Sequence, residues 1–273
     1  FWKNRAWHGF CLVVGGIRRR SVGPERSINI RMTGRKKLMK ALRYVCVAGA
    51  LAISSGPAVA EVTANGTVTN NYIWRGLTQT SNGPAVQGGI DYAADNGFYV
   101  GTWVSNVDYA AGDVFSYEHD MYLGFAGGED FTWDVGWLYY NYDDEARFDF
   151  HELYGSLGYG GFSATVFLLT GTEADEGPDQ DFDFGSTYYA SLDYGFELSN
   201  GFGIGLHVGR HAGDFNEGFN AVPGDYTDYN INFSVSDFTL MISDTDLDDP
   251  GPDGLDNDST KFVISYSREF GLD

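Results

Sequence analysis

Eight ionisable side chains fall on the polar phase of alternating segments: Arg75, Asp91, Asp120, Asp134, Glu152, Asp193, His207 and Glu269. Carboxylates lining a passage attract cations, so this set suits a polar pathway with a cation preference. Paired with one another, the same charges would instead plug a narrow interior. A catalytic reading has less to stand on. Histidines at 119, 151, 207 and 211 follow residue 60, and His211 sits at a strand end where an enzyme acting on lipid headgroups would want one. No serine lies in a G-x-S-x-G turn, and a lone histidine at a strand end is more often a polar rim residue. The chain is therefore expected not to be an enzyme, and no motif assigns a catalytic residue, a metal ligand or a cofactor.

Two further segments are dense in carboxylates. Glu173, Asp175, Glu176, Asp179, Asp181 and Asp183 crowd one; Asp244, Asp246, Asp248, Asp249, Asp253, Asp256 and Asp258 crowd the other. Closely spaced oxygen ligands suit Ca²⁺ or Mg²⁺. The EF-hand spacing is not met, and a solvated acidic loop is the ordinary state of such a run.

The elements that must hold these groups read as strands. Phe202, Ile204, Leu206 and Val208 alternate with Gly203, Gly205, His207 and Gly209, and Phe262, Ile264 and Tyr266 alternate with Val263, Ser265 and Ser267. Successive strand side chains point to opposite faces, so each segment has one apolar face and one polar or small face. Twelve strands are predicted near 62–76, 84–94, 98–109, 117–127, 131–142, 150–159, 162–171, 186–198, 202–212, 226–236, 238–246 and 260–270. No convincing helical repeat follows residue 60. The connections alternate in length. Asp95-Asn96-Gly97, Gly128-Glu129-Asp130, Gly160-Gly161, Asn200-Gly201 and Asp237 are short, with the turn residues of tight hairpins. The connections at 77–83, 110–116, 143–149, 172–185, 213–225 and 247–259 are longer.

Charge divides the chain. Its 273 residues carry a formal charge of −21, yet residues 1–60 hold 12 of the 17 basic residues and one of the 38 acidic ones. Residues 61–273 are left with 5 basic and 37 acidic residues, a net of −32. That balance argues against binding nucleic acid, which needs Lys and Arg against phosphates. At 43% hydrophobic residues the chain is too apolar to be a disordered acidic polymer. Lys36, Lys37, Lys40 and Arg43 precede the apolar run Tyr44 to Ser55, and Ala58-Val59-Ala60 completes the three-part plan of a secretory signal peptide. Residues 32–60 are expected to be that signal, cleaved after Ala60. Residues 1–31 are expected to be non-native upstream read-through, and 61–273 the folded body.

Loop length that alternates by parity, an even strand number and strands of about ten residues together match an outer-membrane β-barrel with short periplasmic turns and longer outer loops. A soluble β-sandwich has no reason to sort its loops this way. The fold expected is all-β, a single up-and-down antiparallel barrel of about twelve strands in a Gram-negative outer membrane. If the apolar phase faces lipid, the eight charged residues face the lumen. Trp74, Trp103, Trp133, Trp137, Tyr139, Tyr194 and Phe270 are expected near strand ends or on the apolar phase, as in the aromatic girdles of such barrels. The lipid bilayer and the outer-membrane assembly machinery are then the expected partners, with small solutes or cations as cargo.

The stretch Tyr72-Ile73-Trp74-Arg75-Gly76, followed by Gln79-Thr80, resembles the opening of the TorF family of proteobacterial porin-like proteins. Asn82 to Gly89, Asp91-Tyr92, Gly97-Phe98-Tyr99, Gly101, Trp103 and Ser105 to Asp108 extend the resemblance, as do Glu118, Asp120 and Tyr122. It covers residues 61–270, most specifically over the first 60 of them. The resemblance implies an outer-membrane barrel acting as a porin, with no defined substrate or catalytic site. Alternatives are a non-conducting barrel closed by Arg75–carboxylate pairing and, less favoured, a barrel enzyme.

Overall fold

The computed structural model describes residues 61–109, 112–248 and 254–272. The expected signal peptide and upstream segment lie outside the described residues, as do Asp249 and Asp253 of the last acidic loop.

The strands are β1 (Glu61–Thr69), β2 (Ile73–Trp74), β3 (Leu77–Thr78), β4 (Ala85–Ala93), β5 (Phe98–Asn106), β6 (Tyr117–Gly128) and β7 (Phe131–Asn141). They continue with β8 (Phe150–Tyr159), β9 (Phe162–Thr172), β10 (Tyr188–Glu197) and β11 (Phe202–Ala212). A short helix α1 (Asp214–Asn220) precedes β12 (Tyr226–Val235), β13 (Phe238–Thr245) and β14 (Lys261–Gly271). All but β2 and β3 join one closed sheet, each strand antiparallel to its neighbours in sequence. β1 closes the ring, pairing with β14 on one side (Thr67 opposite Ser267) and β4 on the other (Gly66 opposite Gly88). The result is a twelve-stranded barrel with no free edge, so every strand has a partner for its backbone polar groups on both sides.

The connections within the barrel alternate as the sequence predicts. Turns at 94–97, 129–130, 160–161, 198–201 and 236–237 close one end. Loops at 70–84, 107–116, 142–149, 173–187, 213–225 and 246–260 crowd the other. The tightest turn shows its cause. Tyr159 pairs with Phe162, and the two residues between them, Gly160 and Gly161, have φ of +58° and +90°. Both central positions of such a hairpin need positive φ, which glycine adopts without a Cβ clash.

Period-two alternation places the apolar phase outside. Val86, Ile90, Val100, Val104, Leu123, Val135, Leu192, Leu206 and Ile264 are exposed, whereas Thr63, Gln87, Ser105, Asp134, Ser191, Asn232 and Ser265 are buried inside. Aromatic rings mark both edges of the apolar band: Phe131, Trp133, Tyr159, Phe162, Phe238 and Phe270 near the short turns, Tyr117, Tyr188 and Tyr229 near the long loops. Water would penalise so continuous an apolar belt, whereas a bilayer matches it. The barrel spans a membrane, and its architecture is that of outer-membrane barrels.

Three expectations need correction. The first barrel strand stops at Thr69, not at residue 76, and Arg75 lies at the tip of a separate β2–β3 hairpin. The cause is local: Arg75 and Gly76 have φ of +48° and +82°, a two-residue turn that no continuing strand can contain. Trp74 and Trp103 are not girdle residues. Both are buried inside the barrel, because the folded-in hairpin needs aromatic surface to pack on. Finally, residues 214–220 do form a helix, with no side-chain cap and too short for a helical period to register in the sequence.

Candidate functional site

The 70–84 loop folds into the barrel instead of out over it. Tyr72 to Thr80 are all buried. The hairpin's contacts reach opposite walls. A Cβ on Gly76 would lie 2.5 Å from the Cβ of Asp228 on β12 and 2.8 Å from Cγ2 of Thr245 on β13. On the other side Trp74 meets Tyr140 and Phe150 of β7 and β8 edge-on, with ring centroids 5.9 and 6.3 Å apart. Thr78 N–H donates to Asn257 Oδ1 at 3.0 Å, and Asn71 Nδ2 donates to Asn82 Oδ1 at 3.0 Å, fastening the hairpin's base.

Arg75 is the centre of this plug. Its Nη1 and Nη2 donate to Oε1 and Oε2 of Glu152 at 2.9 and 2.6 Å, a two-pronged pair with both side chains almost wholly buried. Fork-to-fork geometry is the strong form of this bond. The guanidinium also sits over the rings of Trp74, Tyr189 and Phe167, 4.2, 4.6 and 5.2 Å from their centroids. Aromatic faces offer a buried cation negative potential in place of water. Tyr140 hydroxyl donates to Glu152 Oε2 at 3.1 Å, and Tyr226 hydroxyl donates to the Arg75 carbonyl at 2.7 Å. His211 Nε2 lies 3.2 Å from Arg75 Nη1.

Above the hairpin, the 213–225 loop folds over the same aromatics. Phe219 of α1 lies 6.0 Å from Trp74 and 5.0 Å from Phe150, ring to ring, and Phe215 packs on Phe150 and Phe182. The outer half of the interior is thus an aromatic core. The wall from β12 round to β1 is different. Asn230, Asn232, Ser234, Thr239, Ser243, Ser265, Thr63 and Thr69 face inward there.

A second constellation lies beside the plug. His207 Nδ1 is 2.6 Å from Asp193 Oδ1, and its Nε2 is 3.0 Å from Asp228 Oδ1. Tyr189 hydroxyl donates to Asp228 Oδ2 at 2.9 Å. Elsewhere Asp134 accepts from Tyr99 hydroxyl at 2.6 Å, and Asp91 accepts from Tyr122 hydroxyl and from Asn65 Nδ2. Glu118 accepts from Tyr72 hydroxyl at 3.0 Å.

Of the eight residues singled out by phase, the structure joins Arg75 to Glu152 and Asp193 to His207. Asp91, Asp120, Asp134 and Glu269 lie on other strands round the interior, β4, β6, β7 and β14. Asp228, Tyr140 and Tyr226 were not singled out, and Glu118 entered only through the family resemblance, although Asp228 and Glu118 share the polar phase of their strands with Asn230 and Asp120. His211 was expected as a polar rim residue at the end of its strand. It is instead buried and inward, because it shares a face with His207 four residues earlier.

The outer loops bind one another. Asp143 accepts from the N–H and hydroxyl of Ser116 at 2.7 and 2.8 Å and from Tyr117 N–H at 3.3 Å. Burial pushes its pKa up, but these hydrogen bonds outweigh it and hold the carboxyl below its ordinary value. Glu176, Asp181 and Asp183 bring carboxylate oxygens within 4.8 Å of one another, all exposed. Two of the three already accept backbone N–H groups of their own loop, Phe182 to Glu176 and Asp183 to Asp181.

A family model described as a bacterial protein of unknown function, Gcw_chp, matches residues 53–264. The chain belongs to the Gcw_chp family. The match to this family model does not extend to the TorF family named from the sequence. No curated protein matches the chain. Among solved structures it is similar to the KdgM porin (9% identity, TM-score 0.46, 78% of this chain and 99% of that one). It is similar also to the NanC porin (13%, 0.46, 77% and 100%) and to OccK5 (OpdH) of Pseudomonas aeruginosa (12%, 0.39, 78% and 67%). At these identities and scores the likeness transfers no function to this Gcw_chp protein.

Proposed function

We propose that this Gcw_chp protein is a porin-like channel of the outer membrane for small solutes or ions, with a preference for cations. The observation that carries the reading is the inner face of the β12–β1 wall, where small Ser, Thr and Asn side chains outnumber the apolar ones, Met241 and Val263. A barrel filled only for stability carries apolar layers inside, whereas a wall of hydroxyls and amides calls for water. Interior carboxylates supply the sign: Asp91, Asp120, Asp134, Glu152, Asp193 and Glu269, with Asp228 and Glu118, stand against Arg75, His207 and Lys261. The resemblance of residues 72–122 to TorF porin-like proteins supports the same reading.

The barrel is in a closed form, with the β2–β3 hairpin across its outer half. The Arg75–Glu152 pair favours a second reading, a barrel that stays shut and serves the envelope through its acidic loops. An enzyme acting on lipid is disfavoured because His211 is turned inward onto Arg75.

Planar-bilayer recording of the purified, folded protein decides between them. Discrete conductance with a cation-selective reversal potential in a KCl gradient is the expected result, larger in Arg75→Ala than in the parent. A folded Arg75→Ala barrel that passes no current at any voltage would overturn the channel.

A further inference from the structure

We infer that the β2–β3 hairpin is a proton-released plug, with His211 as the group that takes the proton. Guanidinium nitrogens only donate, so the 3.2 Å contact from Arg75 Nη1 requires His211 Nε2 to present its lone pair. The other ring nitrogen, Nδ1, lies 3.3 Å from Tyr226 hydroxyl, and that hydroxyl already donates its proton to the Arg75 carbonyl at 2.7 Å. Nδ1 therefore carries the hydrogen and Nε2 does not. The seated hairpin holds the imidazole neutral in one tautomer, through two contacts that both end on Arg75.

A proton on Nε2 is incompatible with this seat. It would point an N–H at an N–H and set a second positive charge against the guanidinium. The groups around the ring do not offset it. From β8, Glu152 is engaged by both prongs of Arg75, with Tyr140 of β7 donating to it. From β10, Tyr189 meets the ring edge-on at 5.6 Å. From β12, Tyr226 is committed as above, and Asp228 is held by Tyr189 and His207. On β11 itself His207 is taken by Asp193 and Asp228. Trp74 closes the remaining side, its ring 5.5 Å from that of His211. Among the described residues no carboxylate contacts the His211 ring directly.

Once the hairpin leaves, Nε2 is free to protonate as an ordinary imidazole does below about pH 6.5. The released form then binds a proton that the seated form refuses, so acid favours release. Between pH 7.5 and 5.5 the ratio of released to seated forms rises about tenfold, most of it below pH 6.5.

The inference rests on the channel reading only for its consequence, so release and conductance are measured separately. Hydrogen exchange of amides 71–80 in the full protein, corrected for the intrinsic effect of pH, reads release. Exchange through opening should accelerate about tenfold from pH 7.5 to 5.5 in the parent and stay flat in His211→Gln, whose amide oxygen can accept from Arg75 but does not titrate. No acceleration in the parent, which needs no variant to fold, overturns the switch. An equal acceleration in His211→Gln also overturns it and assigns the proton to another group such as Glu152. Acid release without conductance sustains the switch and counts against the channel alone.

Discussion

At the scale of the residue, the buried Arg75–Glu152 pair makes the sharpest expectations. Removing one partner of a buried pair leaves the other charge without compensation, a loss of about 3–5 kcal/mol in soluble proteins. Glu152→Gln should therefore lower the unfolding midpoint in urea more than the double variant Glu152→Gln/Arg75→Met, in which no charge is stranded. An equal loss in both would mean that the pair is water-accessible and not the lock described. Gly76 tests the same lock sterically. In Gly76→Ala a methyl group would meet the Asp228 and Thr245 side chains at 2.5 and 2.8 Å, on a backbone at φ +82° that alanine resists. This variant should unseat the hairpin while leaving the barrel folded, giving conductance like that of Arg75→Ala. At this scale the sequence was legible only in part. The polar phase of each strand identified Glu152, Asp193 and His207 as inward residues. Yet Arg75 could not be paired with Glu152 from spacing, because 77 positions separate them and the contact depends on a loop folding inward.

At the scale of the element, the barrel strands follow from two local signals that act together: period two within strands and turn residues between them. From β4 onward predicted and observed boundaries agree within two residues, except that β5 ends at Asn106 and not at 109; each short turn fixes the register of the strand after it. β1 is the exception. Asn70-Asn71 break its alternation where the strand ends, and the Arg75-Gly76 turn marks a second, inserted hairpin. α1 was silent for a related reason: its Phe215 and Phe219 are one helical turn apart, too brief to establish a period. The two faces of a strand make opposite demands, and this can be checked. Leu192, 61% exposed in the middle of β10, lies on the lipid face. Leu192→Arg should cost about 2–4 kcal/mol when folding into vesicles is measured by urea titration. The neighbouring inward position should behave differently: Ser191→Asn is expected to change stability by less than about 1 kcal/mol, because it exchanges one polar group for another in a polar interior. Equal penalties at both positions would deny the assignment of faces.

For the whole molecule, the charge distribution and the plug belong to one design of the interior. The body carries 37 acidic residues against 5 basic ones, and the most deeply buried of those five is spent closing the barrel on a carboxylate. Seating the hairpin thus neutralises an interior Glu and blocks the outer half at once. Releasing it exposes Glu152 to the lumen while carrying Arg75 away. On the proposed channel reading, release at neutral pH, where His211 stays uncharged, would leave Glu152 uncompensated and so couple opening to a stronger pull on cations. Reversal potentials test this coupling. In a tenfold KCl gradient the open form of Gly76→Ala should reverse towards the potassium potential. Adding Asp193→Asn and Asp228→Asn should move the reversal towards zero, since His207, which both carboxylates contact, remains in place. Glu152→Gln alone should shift it in the same direction by less, as one charge against two. Rings of carboxylates act by local potential, so the shifts should shrink at 1 M salt, where the screening length is about 3 Å. A reversal that stays put in both carboxylate variants would place the selectivity in the acidic outer loops, not in the barrel wall.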